Sequence, residues 1–313
     1  MGIVQTVTGP VEAANLGVVL SHEHVQLNTL GLRETYPDAT VPRDEVVAIC
    51  TDKLTRLKQS GVDTLIDHTT FEVGRDMGLL REVSERSGLL IIASTGLIVE
   101  IPRWFHKHGT DEIAALFIKE LQQGAAGSGL RTGIIKCALD KGGLPAPAER
   151  ILRACARAHV ATGIPISTHT WAGGHTGDVL QRLFREEGVD LSRVVIGHCG
   201  DTEEFEYLHR LMAAGSFLGM DRFGCEDYLP DVQRVAVVAQ LCREGFADRL
   251  MLSHDANSWS DRDINLPADP RRANWNYFHL HRDILPALRE AGVTEEQIGL
   301  MTGGNVARLF SAA

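Results

Sequence analysis

Eight short apolar segments alternate with segments of helical character along this chain, and this alternation constrains its fold most strongly. The apolar segments are nearly continuous in Val, Ile and Leu, which is typical of strands buried on both faces of a parallel sheet. They lie at residues 18–20, 61–67, 89–96, 133–138, 165–170, 194–198, 217–222 and 249–255. Between them, apolar residues recur at helical spacing near residues 43–60, 77–87, 113–123, 147–162, 178–187, 203–214 and 232–244.

Eight strand–helix units in a chain of 313 residues predict an α/β fold of the (β/α)8 TIM-barrel type, for which about 250 residues is typical. The rival architecture is an open doubly wound sheet, which needs a glycine-rich phosphate loop or a topological switch point. No G-x-G-x-x-G motif follows any predicted strand. No low-complexity linker interrupts the chain, so we expect residues 1–313 to form a single domain. A Gly9-Pro10 turn predicts a short N-terminal β-hairpin within residues 2–14.

The composition narrows the class of protein. Hydrophobic residues make up 44% of the chain, enough for a sizeable core. The net charge of −10, from 31 basic and 41 acidic residues, argues against a nucleic-acid partner. We find no apolar run of 18 residues and no signal-peptide pattern, so we expect no membrane span. The six cysteines are scattered without a C-x-x-C pair, which predicts reduced thiols in a cytoplasmic protein.

The first apolar segment runs into Ser21-His22-Glu23-His24. Residues i and i+2 of a strand point to the same face, so His22 and His24 can reach one point while Glu23 faces away. Two converging imidazoles suit a first-row transition-metal ion. The alternative is a chance His-x-His pair on a solvated loop.

Further polar residues occur at the carboxyl ends of the predicted strands, which form the catalytic face of a barrel. Any one of them alone could be an ordinary hydrogen-bonded polar group. A charged lysine near a barrel interior is harder to dismiss, since burial of the ammonium group is costly. Chance would rarely place a whole set at one end of a sheet. The set is His22, His24, Lys136, His169, His198 and Asp255.

Lys136 addresses a charge imbalance in this set. Four histidines and one aspartate bring a single negative charge to a site for two cations. A lysine that has reacted with carbon dioxide becomes a carbamate, an anion whose two oxygens can bridge two metal ions. A Glu or Asp carboxylate could also bridge, but lysine has the longer reach. Two ions about 3.5–4 Å apart share a water and lower its pKa to about 7.

These residues resemble the binuclear metal site of the phosphotriesterase family in the amidohydrolase superfamily. The resemblance covers nearly the whole chain, from the Gly-Pro turn at residues 9–10 to residues 304–310. The flanking motifs are most similar to the phosphotriesterase-like lactonase branch. They are Ser21-His22-Glu23-His24, Ile166-Ser167-Thr168-His169-Thr170, Ile196-Gly197-His198-Cys199-Gly200-Asp201 and Gly219-Met220-Asp221-Arg222-Phe223-Gly224.

The resemblance implies a metal-binding role for each member of the set. His22, His24 and Asp255 would hold the more buried ion, and His169 and His198 the more exposed one. Carboxylated Lys136 and a hydroxide would bridge the ions. The implied cofactors are two divalent transition-metal ions (zinc, with cobalt, iron and manganese as alternatives) and carbon dioxide as the carbamate. A homodimer is also implied.

The resemblance implies roles outside the ligand set as well. Asp255 would take the proton of the attacking hydroxide and pass it to the leaving group. Asp201, three residues beyond His198, matches a proton relay. Arg222 matches an arginine of the lactonase branch, and such outer groups orient ligands and tune acidity. Arg222 could instead form only a salt bridge to Asp201 or Asp227.

The expected substrate pocket departs from the lactonase pattern at two positions. Ile98 stands where lactonases usually have a tyrosine, and Asn257 stands where many relatives have cysteine. The long segment 257–276, with Trp259 and Trp275, is predicted to be a pocket lid, with support of the following helices as the alternative. The predicted substrate-binding residues are Ile98, Arg222, Asn257 and Trp259.

The other histidines have simpler interpretations. His254 neighbours Asp255 on a predicted strand, so we expect it to face the helices as a core histidine. The remaining four in the loops on the catalytic side are predicted to be surface residues. They are His68, His106, His108 and His175.

The leading functional hypothesis is hydrolysis of γ-/δ-lactones or acyl-homoserine lactones, with promiscuous activity on phosphotriesters and aryl esters. Native organophosphate hydrolysis is the first alternative, and an amide-ring hydrolase of the dihydroorotase type is the second. A mononuclear deaminase would not need Lys136. A different class also remains, a metal-bearing binding protein without catalysis.

Overall fold

The described residues fold into a curled nine-stranded parallel sheet with helices along its outside, preceded by a two-stranded antiparallel hairpin. The computed structural model describes residues 2–98, 100–262 and 269–311. The strands are β1 (Ile3–Thr6), β2 (Gly9–Glu12), β3 (Val19–Leu27), β4 (Thr64–Asp67), β5 (Leu90–Gly96), β6 (Ile134–Leu139), β7 (Ile166–Thr170), β8 (Val194–Ile196), β9 (Phe217–Met220), β10 (Leu250–Leu252) and β11 (Asn257–Ser260).

The helices are α1 (Leu32–Thr35), α2 (Arg43–Gln59), α3 (Met77–Ser87), α4 (Thr110–Gln122), α5 (Ala146–Thr162), α6 (Thr176–Glu186), α7 (Phe205–Ala213), α8 (Asp231–Arg243), α9 (Leu285–Glu290), α10 (Glu295–Gly299) and α11 (Asn305–Phe310). α1 and α9 to α11 were not predicted, whereas α2 to α8 agree with the predicted helices. α2 illustrates why the predicted helices form. Its buried residues lie three or four positions apart, and it ends before Gly61, which adopts a left-handed φ of 98°. Within the described part, no helix is long and apolar enough to cross a membrane.

The strands of the main sheet follow one another in chain order from β3 to β10, and β11 lies on the far side of β3. Every pair in this sheet is parallel, as the crossover helices require. The two ends of the row approach each other, because the backbone after β10 is hydrogen-bonded to β3. Asp255 N–H donates to the His22 carbonyl at 2.9 Å, and His24 N–H donates to the Ala256 carbonyl at 2.8 Å.

A small apolar cluster closes the amino end of this curled sheet. Inward-facing residues from several strands meet there, including Val19, Ile66 and Ile134, and Val4 of the hairpin and Phe310 of α11 pack against them. The amino end is therefore filled by hydrocarbon, which leaves the carboxyl ends of the strands for polar residues. The larger core lies between the strands and the outer helices. All six cysteines are buried and free.

Two predictions about elements need correction. β3 continues to Leu27, so His22 and His24 lie within a strand rather than at its end. The segment predicted as a lid begins with a strand, because β11 pairs with β3 in the register Asn257↔His24 and Trp259↔Gln26. Its sequence Asn-Ser-Trp-Ser has no apolar run, so the periodicity gave no sign of it. Residues 263–268 of the predicted lid lie outside the described residues.

Candidate metal centre

Three neighbouring strands of the sheet end in residues with left-handed backbone. His198 after β8, Arg222 after β9 and Asp255 after β10 have φ values of 61°, 67° and 58°. A residue other than glycine in this region costs about 1–3 kcal/mol, and such strain tends to cluster at functional sites. Because this conformation recurs at three adjacent strand ends, this rim of the sheet is the candidate functional site.

A carboxylate faces three imidazoles at this rim. Asp255 Oδ1 lies 3.5 Å from His22 Nε2 and 3.3 Å from His24 Nε2, and its Oδ2 lies 3.8 Å from His198 Nε2. The candidate ligand atoms of His22, His198 and Asp255 all lie within 4.8 Å of one another. Nitrogen and oxygen donors at this separation suit a transition-metal ion.

The other two predicted ligands join this cluster directly. Lys136 Nζ is 2.8 Å from His22 Nε2, and His169 Nδ1 is 2.8 Å from His198 Nε2. Lys136 is almost completely buried, on β6, and His169 lies on the neighbouring β7. All six predicted residues are therefore brought together by β3, β6, β7 and the ends of β8 and β10.

Asp221, to which the sequence analysis gave no role, orients two of the histidines. Its Oδ2 accepts a hydrogen bond from His22 Nδ1 at 2.8 Å, and its Oδ1 accepts one from His198 Nδ1 at 2.7 Å. Burial alone would raise the pKa of Asp221, but His198 and His22 outweigh it and hold that pKa well below its usual range. With Nδ1 donating, the Nε2 lone pair of each ring is free to bind a cation. The feature of the sequence that could have identified Asp221 is its position at a strand end, directly before Arg222.

His24 is oriented in a similar way by Thr69. The Thr69 hydroxyl has acceptors of its own, the Gln26 carbonyl at 3.1 Å and Asp67 Oδ1 at 2.9 Å. Its oxygen is therefore free to accept a hydrogen bond from His24 Nδ1, which lies 3.0 Å away. This again leaves Nε2, the atom closest to Asp255, as the unprotonated nitrogen.

The protonation states of the cluster fit metal binding. Burial, followed by the nearby Lys136 ammonium, lowers the pKa of His22, and burial together with Arg222 lowers that of His198 well below its usual range. Neutral imidazoles are the form that binds metals. Burial also lowers the pKa of Lys136 to about 8. The lowered pKa favours the neutral amine, which is the form that reacts with carbon dioxide.

Arg222 links two carboxylates at the rim. Its Nε donates to Asp255 Oδ2 at 3.1 Å and its Nη1 donates to Asp201 Oδ2 at 2.8 Å. The guanidinium also lies over the ring of Tyr228, 4.6 Å from its centroid. The salt bridge to Asp201 considered from the sequence is therefore present, whereas Asp227 pairs with other arginines. Arg222 reaches the proposed ligand Asp255 as well, so its role extends beyond that salt bridge.

A small pocket of about 180 Å³ lies beside the cluster. Ile98 lines it together with Asp140, whose Oδ1 is 3.7 Å from His169 Nε2. Ile98 is half-buried, and its N–H donates to the Glu72 carboxylate at 2.5 Å. Asn257 and Trp259 lie in β11 instead of a loop, and Trp259 is buried in the main core.

One prediction about the remaining histidines is wrong. His68 is completely buried rather than a surface residue, and its Nε2 is 3.0 Å from Ser167 Oγ. His254 is a core histidine as predicted, with Nδ1 bonded to Glu23 at 2.7 Å and Nε2 accepting from Leu280 N–H. His106 is exposed, and the other two are partly exposed, namely His108 and His175.

Comparison with known proteins points to one family. A sequence model of the phosphotriesterase family matches residues 2–310. An aryldialkylphosphatase from Saccharolobus solfataricus is 33% identical over 305 residues, covering 96% of this chain and 97% of that protein.

Solved structures agree with this match. The phosphotriesterase from Mycobacterium tuberculosis is 43% identical, with a TM-score of 0.94 over 99% of this chain and 98% of that one. A weak promiscuous lactonase, used as a template for engineering organophosphate hydrolysis, is 35% identical, with a TM-score of 0.92 over 99% of this chain and all of that one. The strand-end cluster of histidines, lysine and aspartate thus sits in a chain that belongs to the phosphotriesterase family.

Proposed function

We propose that this protein is a binuclear metal-dependent lactonase. The observation that carries the proposal is the cluster at the carboxyl ends of the strands, where His22, His198 and Asp255 converge within 4.8 Å. Lys136 and His169 contact this cluster at 2.8 Å each. Membership of the phosphotriesterase family makes the protein a metal-dependent hydrolase of ester or phosphoester bonds.

The donor set fits two divalent transition-metal ions. His22, His24 and Asp255 would hold one ion, and His169 and His198 the other. Zinc suits this mixture of nitrogen and oxygen ligands, with cobalt, iron and manganese as alternatives. Lys136, carboxylated by carbon dioxide, would bridge the ions and supply the negative charge that four neutral histidines and one aspartate lack.

The bound ions would lower the pKa of water and polarise the substrate carbonyl. The chain itself handles the proton. Asp255 takes the proton released as water oxygen bonds to the carbonyl carbon, and delivers it to the ring oxygen as the ring C–O bond breaks. Arg222 holds Asp255 from one side at 3.1 Å, and its second contact, to Asp201 at 2.8 Å, holds the guanidinium in that orientation. The product is a hydroxy acid.

The pocket favours small neutral esters. Asp140 places a carboxylate beside His169, which disfavours anionic substrates such as phosphate monoesters by charge repulsion. Ile98 offers apolar contact in the same pocket, which suits an alkyl substituent on a lactone ring. Ile98, Arg222 and Asn257 are proposed to set substrate preference, and Trp259, which is buried in the main core, would contribute only through the packing of β11.

Organophosphate triester hydrolysis is the principal alternative, since a triester is also neutral and passes through a similarly charged transition state. The aryldialkylphosphatase relative supports it, and the lactonase template supports the leading proposal. An amide-ring hydrolase shares the lysine-bridged type of site. A binding protein without catalysis is the alternative of a different class, and the full ligand set argues against it.

A substrate screen separates these functions. Metal-replete enzyme is assayed with γ-lactones, δ-lactones, acyl-homoserine lactones, an aryl phosphotriester and a cyclic amide. The Asp255→Asn variant is the control, because it measures the hydrolysis that occurs without proton transfer by Asp255. The proposal expects the highest kcat/KM on a lactone. A phosphotriester preference would select the first alternative, and activity on none of these substrates would overturn both.

Three further expectations belong to the same proposal. Residues 1–313 act as a single domain whose curled sheet closes into a (β/α)8 barrel, supported by the hydrogen bonds between β3 and the backbone after β10. The protein works as a homodimer, as the family resemblance implies. The buried free cysteines support a reducing compartment such as the cytoplasm.

A further inference from the structure

His68 is a fully buried imidazole beside the metal cluster that the proposed chemistry does not use. It follows β4, and its N–H donates to the Glu23 carbonyl on β3 at 2.8 Å. Its ring meets His22 edge-on, with centroids 4.3 Å apart and planes at 85°. A phenylalanine could supply such packing, so packing alone does not explain a histidine at this position. A role for its ring nitrogens would explain it.

The two residues that the His68 side chain contacts, Ser167 and His22, lie next to Lys136. Nε2 lies 3.0 Å from Ser167 Oγ, and Ser167 is the cross-strand partner of Lys136 in the β6–β7 register. His22, against which the ring packs, lies 2.8 Å from Lys136 Nζ. Both residues that contact the His68 ring are thus direct neighbours of Lys136.

The second ring nitrogen of His68 has no partner. Nδ1 is buried without a hydrogen bond among the described residues. A neutral imidazole carries one N–H, and its other ring nitrogen accepts a hydrogen bond. The Ser167 hydroxyl can donate to Nε2, and this arrangement places the N–H on Nδ1. A buried donor without an acceptor is costly, and natural proteins rarely leave one.

We propose that His68 is a positioning residue for the bridging lysine, and that its Nδ1–H donates to a carbamate oxygen on Lys136. The proposal rests on the carboxylated lysine of the proposed function. Carboxylation replaces the Lys136 ammonium, which repels an N–H of His68, with an anion that has two acceptor oxygens. The partnerless nitrogen then gains the acceptor that the uncarboxylated chain does not provide.

The test follows carboxylation and metal loading rather than turnover. Wild-type enzyme and variants are stripped with a chelator and given two equivalents of Co²⁺ over a series of ¹³C-bicarbonate concentrations. Bound cobalt is counted by mass spectrometry, and the carbamate is followed, in parallel samples loaded with Zn²⁺, by its ¹³C signal. Circular dichroism and thermal unfolding verify that each variant is folded.

The substitutions separate the two ring nitrogens. His68→Phe keeps a ring against His22 without an N–H, and should need about tenfold more bicarbonate for half-loading, as for a lost hydrogen bond to a charged group. His68→Asn places an amide nitrogen near Nδ1, and His68→Gln places one near Nε2. We expect His68→Asn to load closer to wild type than His68→Gln.

Each result decides the proposal. Wild-type bicarbonate dependence in His68→Phe, or equal recovery by His68→Gln and His68→Asn, would overturn it in favour of packing or the Ser167 contact. Absence of a carbamate signal in the wild type would overturn it as well. A carboxylated wild type that opens no lactone would remove the proposed function and leave the role of His68 standing.

Discussion

The Glu23 carboxylate accepts a hydrogen bond from His254 Nδ1 at 2.7 Å, on the face of β3 opposite to His22 and His24. The same carboxylate accepts from the N–H groups of His254 at 2.9 Å and Ala256 at 2.8 Å, and from Ser253 Oγ at 2.7 Å. Glu23 therefore holds the backbone on both sides of Asp255. The residue between the two histidines fixes the third ligand candidate relative to them.

Substitution of Glu23 by glutamine tests this arrangement. The amide keeps the volume but turns one acceptor oxygen into a donor that faces other donors. We expect a loss of about 1–3 kcal/mol in the free energy of unfolding, as for an unsatisfied buried group, together with weaker metal binding. Chemical denaturation and metal analysis measure the two effects.

The matched control is Glu295→Gln. Glu295 pairs with Arg289 at the surface, so its substitution should leave both stability and metal binding close to those of the wild type. Equal effects of the two substitutions would contradict the role given to Glu23.

Local patterns predicted the features that local physics decides. Continuous apolar strands and helical spacing predicted eight strands of the main sheet and helices α2 to α8. Parallel strands of one sheet have their carboxyl ends at one edge, and this rule predicted which polar residues lie close together. They are His22, His24, Lys136, His169, His198 and Asp255. These inferences need only the period of the pattern and the direction of the strands.

The features that were missed depend on contacts distant in sequence. His68 is buried because it meets Ser167, 99 residues away, and Asp221 matters because it reaches His22, 199 residues away. Neither partner is visible in the local pattern. β11 was missed because its polar sequence carries no strand signal, and pairing with β3 alone makes it a strand.

Metal content gives the most direct prediction for the cluster. Protein expressed with metal and bicarbonate should contain about two divalent ions per chain. Lys136→Ala should lose metal and activity together, and added short carboxylates should partly restore both by replacing the bridge. Lys107→Ala, at an exposed position, is the control. One ion or none in the wild type would contradict the binuclear site.

Asp255→Asn separates proton transfer from ligand binding. Asparagine can still offer an oxygen to a metal, but it cannot take a proton from the nucleophile. We expect kcat to fall by about 10²–10⁴-fold, the usual cost of a lost general acid–base group, in enzyme with its metal content verified. A kcat near that of the wild type with both ions bound would remove Asp255 from proton transfer.

His279 should make stability depend on pH. Burial opposes its charge, but hydrogen bonds to Asp231 at 2.7 Å and Asp283 at 2.6 Å raise its pKa in the folded state. A raised folded pKa stabilises the protein fully below the unfolded value of about 6.5, and this contribution disappears as pH rises through the folded pKa. Chemical denaturation from pH 5 to 9 measures it.

The His279→Gln variant should lack this pH-dependent component, so its stability difference from wild type should shrink as pH rises. His106→Gln, at an exposed position, should instead give a curve parallel to that of the wild type. A difference between His279→Gln and wild type that stays constant with pH would show that His279 stabilises the fold without its charge.

Substrate selectivity should depend on Ile98. Its side chain lines the pocket next to Asp140, and its backbone is held by Glu72, so a substituted side chain would point into the same pocket. Isoleucine offers only apolar contact, whereas tyrosine could donate a hydrogen bond to the lactone, worth roughly 0.5–1.5 kcal/mol in the ground state and more if it strengthens in the transition state. We therefore expect the wild type to act better on alkyl γ- and δ-lactones or aryl esters than on acyl-homoserine lactones.

Ile98→Tyr should raise kcat/KM for acyl-homoserine lactones by about 2–13-fold, which is that hydrogen-bond energy expressed as a rate ratio. Activity on simple γ-lactones measured with the same preparation serves as the control, because a general loss of folding or metal would lower both substrates together. Asn257, which lies in β11 and is not among the residues that line this pocket, stays unchanged in this comparison. A wild type that already processes acyl-homoserine lactones at about 10⁵ M⁻¹s⁻¹ or faster, combined with a lower rate in Ile98→Tyr, would show that apolar contact at Ile98 is what the native substrate requires.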